Sequence, residues 1–134
     1  MLPDLRGVSV LVVEDEAIMR RLFRAWFEQL GASVREASNG RVGLELLGTF
    51  RPDVVLCDLS MPRFDGYDFI KGLRDDLKLP TPVIAVTGMG DSEVLLQTAE
   101  AGFASFLLKP VTLEQVAAQV ARVLGRGPGT AGGG

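Results

Sequence analysis

The sequence predicts an α/β fold: five parallel strands in one doubly wound sheet, with helices on both faces. Three observations predict it. Short apolar runs alternate five times with longer amphipathic stretches. Three of the runs are nearly unbroken in Val, Ile and Leu, as in strands buried on both faces. Charged and hydroxyl residues gather at the carboxyl ends of the runs, where open α/β sheets carry their working sites.

The runs are Val8–Val13, Ser33–Ala37, Asp53–Cys57, Pro82–Val86 and Ser105–Leu108. The first helix spans Ala17–Leu30. Arg20, Arg21, Arg24 and Glu28 line one face, and Ile18, Met19, Leu22, Phe23, Trp26, Phe27 and Leu30 fill the rest as core. Gly31 stands where a left-handed C-terminal cap belongs. Gly40–Phe50, Gly66–Leu77 and Ser92–Ala101 read as three further helices, the last stopped by Gly102. The fifth is Leu113–Leu124, opened by a Thr112/Gln115 capping box, with Leu113, Val116, Ala117, Val120 and Leu124 facing inward. Alternation of this kind needs right-handed crossovers. For five units the expected strand order is 2-1-3-4-5, the flavodoxin-like (βα)5 sandwich.

The chain has 134 residues, enough for one domain with a core of its own. Residues 1–124 are expected to form that domain. The last ten residues contain six glycines and read as a flexible tail or linker. The net charge of −3 argues against direct nucleic-acid binding, which calls for a basic patch. No apolar run approaches the length of a membrane span, and the N-terminus lacks a signal-peptide pattern. The expected location is cytoplasmic. The single cysteine, Cys57, lies in a strand run and reads as inert packing.

The chemistry lies at the strand tips. Strand one ends in Glu14-Asp15-Glu16, strand three in Asp58, strand four in Thr87-Gly88 and strand five in Lys109-Pro110. The predicted order sets strands one and three side by side, so Glu14, Asp15 and Asp58 converge, with Thr87 and Lys109 on the same rim. Taken singly, each residue has an ordinary explanation: Asp15 as a helix N-cap, Asp58 as a turn starter, Thr87 as a loop hydroxyl, Lys109-Pro110 as a strand exit. Their joint placement at four tips favours a site. Three converging carboxylates repel one another, and a hard divalent cation, Mg²⁺ or Mn²⁺, relieves that repulsion. With no histidine and one cysteine, a zinc site of the usual kind is excluded. A metal, a carboxylate nucleophile, a lysine and a hydroxyl together suit phosphoryl transfer.

With those motifs, the chain resembles the response-regulator receiver family of two-component signalling. The match runs from residue 7 to about 124 and rests on five phrases. They are Val10-Leu11-Val12-Val13-Glu14-Asp15-Glu16, Arg51-Pro52-Asp53-Val54-Val55-Leu56-Cys57-Asp58, Met61-Pro62-Arg63-Phe64-Asp65-Gly66, Pro82-Val83-Ile84-Ala85-Val86-Thr87-Gly88 and Lys109-Pro110. The resemblance implies that Asp58 is the phosphoacceptor. It implies that Glu14, Asp15, Asp58 and the backbone carbonyl of Ser60 hold Mg²⁺. Thr87 would hydrogen-bond the phosphoryl group, Lys109 would pair with it, and the Lys109–Pro110 bond would be cis. Phe106 takes the place of the family's switch aromatic, so that Thr87 and Phe106 together alter a surface made by helix four, strand five and helix five.

The partners implied are a histidine kinase or histidine phosphotransfer protein as donor and an output protein or domain. A weak homodimer would use the same α4-β5-α5 face. The role is that of a signalling domain that catalyses only its own phosphorylation and dephosphorylation, rather than that of an enzyme. Two departures stand out: Glu14 where the family often has aspartate, and Phe106 where tyrosine is frequent. Ser60 and Met89 flank the site where phosphate lifetime is tuned. The phrase Ala101–Val111 resembles receivers of hybrid kinases. Three rivals share the architecture: a flavin binder, whose phosphate Glu14-Asp15-Glu16 would repel; an Asp58-nucleophile phosphohydrolase; and a pseudo-receiver that only binds partners.

Overall fold

The computed structural model describes residues 2–59, 65–88 and 92–125. Five strands, β1 (Ser9–Val13), β2 (Ser33–Ala37), β3 (Val54–Asp58), β4 (Val83–Thr87) and β5 (Ser105–Leu108), form one sheet in the order β2-β1-β3-β4-β5. Every pairing is parallel. The intervening helices are α1 (Ala17–Gln29), α2 (Gly40–Leu46), α3 (Gly66–Lys71), α4 (Ser92–Glu100) and α5 (Leu113–Val123). The expected fold class and strand order are those observed.

Side-chain alternation splits the strands between two apolar layers. Val10 and Val12 of β1, Val54 and Leu56 of β3, and Ile84 and Val86 of β4 face Phe23 and Phe27 of α1 and Val116, Ala117 and Val120 of α5. Leu11, Val13, Val55, Cys57, Val83 and Ala85 face the other way, onto Phe69 and Ile70 of α3. Strands β3 and β4 are buried at every position, which accounts for the apolar run that precedes Asp58 and Thr87. The edge strands β2 and β5 alternate between buried and exposed residues.

Caps fix the helix ends. Gly31 and Gly102 take positive φ values of 96° and 97° just beyond α1 and α4, a backbone shape that side chains disfavour. The Thr112/Gln115 capping box at α5 is present, and Asp65 and Asp68 make another at α3.

Four expectations need correction. Strands β3 and β4 begin and end one residue later than their apolar runs, so Asp58 and Thr87 close the strands rather than follow them. Helix α2 stops at Leu46 instead of Phe50. The single helix expected over Gly66–Leu77 is α3 followed by a π-helical turn, Gly72–Asp76, closed by a hydrogen bond from Leu77 N–H to the Gly72 carbonyl of 3.0 Å. Finally, Ile18 and Leu22 of α1 point to solvent, 76% and 38% exposed, because α1 meets the sheet only through the side bearing Phe23 and Phe27. Helix α4 is loosely held: among its described side chains only Thr98 is buried. No helix among the described residues is long and apolar enough to cross a membrane.

Candidate functional site

The carboxyl ends of β1, β3, β4 and β5 open on one rim. β1 and β3 are neighbours, paired Val13 to Cys57, which sets the residues that follow, Glu14 and Asp58, side by side. One oxygen from each of Glu14, Asp15 and Asp58 lies within 4.8 Å of the other two. Glu14 and Asp58 are buried, whereas Asp15 is exposed. Lys109 arrives from β5, its backbone N–H donating to the Thr87 carbonyl at 2.8 Å. Its Nζ lies 3.3 Å from Glu14 Oε1 and 3.5 Å from Asp58 Oδ2. Thr87 is buried at the tip of β4. The Lys109–Pro110 peptide bond is cis, as the resemblance implies.

The structure thus brings Glu14, Asp15, Asp58 and Lys109 together, with Thr87 on the next strand tip. Phe106, also expected at the site, lies on β5 and is exposed. Ser60 and Met89 lie outside the described residues. Asp15 is not the helix cap it resembles in isolation: Glu16 occupies the N-cap position of α1, without a side-chain cap bond. Its carboxylate is therefore left for the cluster. Cys57 is fully buried, and burial first, then the neighbouring charges of Asp58 and Glu14, push its thiol up, in keeping with inert packing.

The electrostatics show what the cluster lacks. Burial raises the Glu14 pKa to about 7; the Glu16 N–H, 3.1 Å from Oε2, pulls it down, and the Asp58 charge pushes it up. Burial alone would lower Lys109, but Asp58 and Glu14 outweigh it, and its pKa lies above the ordinary value. Among the described residues, the Lys109 ammonium reaches two of the three clustered carboxylates, Glu14 and Asp58. All the clustered donors are hard oxygens, the kind that small divalent cations take. One oxygen from each carboxylate lies within 4.8 Å of the other two, so the three converge on one point. The residues present therefore fit a small divalent cation.

One contributor was not evident from sequence. Arg20, read there only as one of four charged residues lining a face of the first helix, donates from Nη1 to the Glu14 carbonyl at 2.8 Å and from Nε to Glu36 of β2 at 3.2 Å. A cation a few residues beyond the acidic pair, with a lone glutamate on the neighbouring strand, is the signal that could have found it.

Comparison with known proteins agrees with this geometry. The family model for the response regulator receiver domain matches residues 10–121. The Regulator of RpoS of Escherichia coli strain K12 is 37% identical over 111 residues, 83% of this chain and 33% of that protein. The sensor histidine kinase CheAY of Helicobacter pylori is 34% identical over 116 residues, 84% of this chain and 14% of that protein. The chain thus spans a third or less of the length of these two relatives. Among solved structures, the chemotaxis protein CheY4 of Vibrio cholerae superposes with a TM-score of 0.83 at 28% identity, covering 87% of this chain and 98% of that one. The signal receiver domain of a signal transduction histidine kinase from Syntrophus aciditrophicus gives 0.79 at 30% identity, covering 89% and 91%. With five strands in the order β2-β1-β3-β4-β5, an acidic cluster at their tips and a family match over most of its length, this chain belongs to the response regulator receiver domains of two-component systems.

Proposed function

We propose that this chain is a phosphoacceptor: it takes a phosphoryl group from the phosphohistidine of a histidine kinase or histidine phosphotransfer protein onto Asp58. The observation that carries the reading is the meeting of Glu14, Asp15 and Asp58 within 4.8 Å, with Lys109 Nζ 3.5 Å from Asp58. Asp58, at the end of a strand buried throughout, presents its carboxylate at a fixed point on the rim. A carboxylate oxygen of Asp58 forms a bond to phosphorus as the phosphorus–nitrogen bond to the donor histidine breaks. Lys109 neutralises charge on the incoming group as a compact point charge. Thr87 offers a hydroxyl on the adjoining tip. Glu14, Asp15 and Asp58, with the Ser60 carbonyl, would hold Mg²⁺, or Mn²⁺ in its place. The metal supplies charge neutralisation for the phosphoryl oxygens.

The acyl phosphate puts about two negative charges beside Lys109 in place of the single carboxylate charge of Asp58, together with three acceptor oxygens. Thr87 turns toward it, and Phe106, exposed on β5, moves inward into the space released. The loosely held α4, with β5 and α5, is the surface that changes, read by an output partner or a second copy of the chain. Residues 1–124 form the receiver, residues 125–134 its Gly-rich tail, and the working place is the cytoplasm. The activity is that of a signalling module that catalyses only its own phosphorylation and dephosphorylation.

The test is mass spectrometry of the protein incubated with a small phosphodonor and Mg²⁺. One phosphate per chain is expected, lost in Asp58→Asn and in excess chelator. Absence of added phosphate, or labelling undiminished in Asp58→Asn, refutes the assignment. Steady turnover of a generic phosphate ester, lost in Asp58→Asn, replaces it with hydrolysis.

A further inference from the structure

Besides its ion pair with Lys109, Glu14 is held by three further contacts. Its backbone N–H donates to the Ala37 carbonyl of β2 at 3.0 Å. Its Oε2 accepts from the Glu16 N–H at 3.1 Å. Its own carbonyl accepts from Arg20 Nη1 at 2.8 Å, and the same nitrogen lies 3.4 Å from the Asp15 carbonyl. Arg20 is in turn held by Glu36, whose Oε1 takes Arg20 Nε at 3.2 Å while Oε2 takes Arg24 Nη1 at 2.7 Å. Arg20 and Glu36 are both largely shielded, at 18% and 22% side-chain exposure. A guanidinium fixed by a carboxylate on one edge and gripping carbonyls with another is a rigid bracket, because its donors lie in a single plane.

We infer that Arg20 is a positioning residue for the cation site: with Glu36 it fixes the backbone from which the Glu14 and Asp15 carboxylates project. The inference rests on the metal-dependent reading above. Arg20 donates to backbone carbonyls at Glu14 and Asp15, leaving the carboxylate oxygens available. Groups that orient a metal ligand without touching the metal typically carry ten- to a hundredfold of its affinity. The sign of the effect separates this role from simple electrostatics. Removing a positive charge near three carboxylates would by itself tighten cation binding. Loss of the bracket weakens it.

The experiment is calorimetric titration of the full chain with Mn²⁺, beside thermal denaturation of the metal-free proteins. Arg20→Gln is expected to bind Mn²⁺ about tenfold more weakly than wild type. Arg20→Lys, which keeps the charge but cannot grip Glu36 and the loop together, is expected to fall between the two. It also carries the test if Arg20→Gln does not fold. Arg24→Gln, which loses its ion pairs but touches no carbonyl of the loop, is expected to stay within about twofold. Wild-type or tighter binding by both Arg20 variants, or an equal loss in Arg24→Gln, overturns the positioning role while leaving the site in place. A wild-type chain that takes up no Mn²⁺ overturns the metal-dependent reading and this inference together.

Discussion

The ammonium of Lys109 lies 3.5 Å from the carboxylate of Asp58, although their strands, β5 and β3, are separated by β4. The same ammonium reaches Glu14 on β1 at 3.3 Å, so one cation bridges three strand tips. It thereby holds oxygens that a metal would also claim. Lys109→Met is expected to bind Mn²⁺ at least as tightly as wild type, while phosphorylation of Asp58 slows roughly 100-fold. Calorimetry and timed mass spectrometry check the two halves. Wild-type labelling would remove Lys109 from the chemistry.

Stability of the metal-free protein should depend on pH through Glu14. Its folded-state pKa, about 7, exceeds the ordinary value of 4.5, so between them the folded protein holds a proton that the unfolded chain has released. Stability then falls as pH rises through that window and levels off above it. Thermal denaturation in chelator between about pH 5 and pH 8 should show a declining Tm, flattened in Glu14→Gln. Added Mg²⁺ should raise Tm most at the upper end, where the carboxylate is free of its proton. Lys109 acts in the same direction at higher pH: its contribution is present below the ordinary value of 10.5 and is lost as pH rises through the raised value.

Two glycines of the third helical segment should respond differently to alanine. A Cβ on Gly66 would stand 2.7 Å from the Asp58 carbonyl oxygen and 3.0 Å from the Leu59 Cα, both backbone atoms that cannot step aside. Gly66→Ala is expected to cost about 1–3 kcal/mol and to slow labelling of Asp58 as its backbone shifts. A Cβ on Gly72 meets the end of the half-buried Leu44 side chain at 2.6 Å, which can swing away. Gly72→Ala should be nearly neutral, since alanine's helix preference of about 1 kcal/mol offsets the adjustment. Urea denaturation measures both.

Helix α1 offers a similar contrast. Phe27 is fully buried against the sheet, and Phe27→Ala should cost about 3–5 kcal/mol. Ile18, 76% exposed, should tolerate alanine within about 0.5 kcal/mol. Equal losses in denaturant midpoints would mean that Ile18 is covered in solution.

That contrast also marks where the sequence stopped being informative. The central strands were legible because burial on both faces leaves only apolar residues in β3 and β4 ahead of Asp58 and Thr87. The site was legible because parallel topology carries every strand tip to one rim, so Glu14, Asp15, Asp58, Thr87 and Lys109 could be assembled from their positions alone. The orientation of α1 was not legible. Its apolar residues wrap most of the helix, and only packing against the sheet chooses Phe23 and Phe27 over Ile18 and Leu22. The early end of α2 was hidden because the apolar period continues to Phe50, which is partly buried and lies under Arg35 at 4.6 Å without being helical. The π-helical turn was hidden because the carbonyls that its Arg74 engages lie beyond the local period. Arg74 Nη1 donates to the Leu79 and Thr81 carbonyls at 2.7 and 2.8 Å, fixing the chain that leaves the turn. Arg20 escaped notice for a related reason, since its partner Glu36 is sixteen residues distant on another element.

Strand β3 has a hydrogen-bonded neighbour on each side, whereas β5 has only one. On the proposed reading, a covalent change at Asp58 would begin on the central strand, buried at every position, where the main chain has little room to yield. Whatever deformation follows has to run outward to the margin, where fewer bonds oppose it. Sensing and reporting would in this way fall to regions of unequal compliance, with a firm centre to hold the chemistry and a softer border to express it.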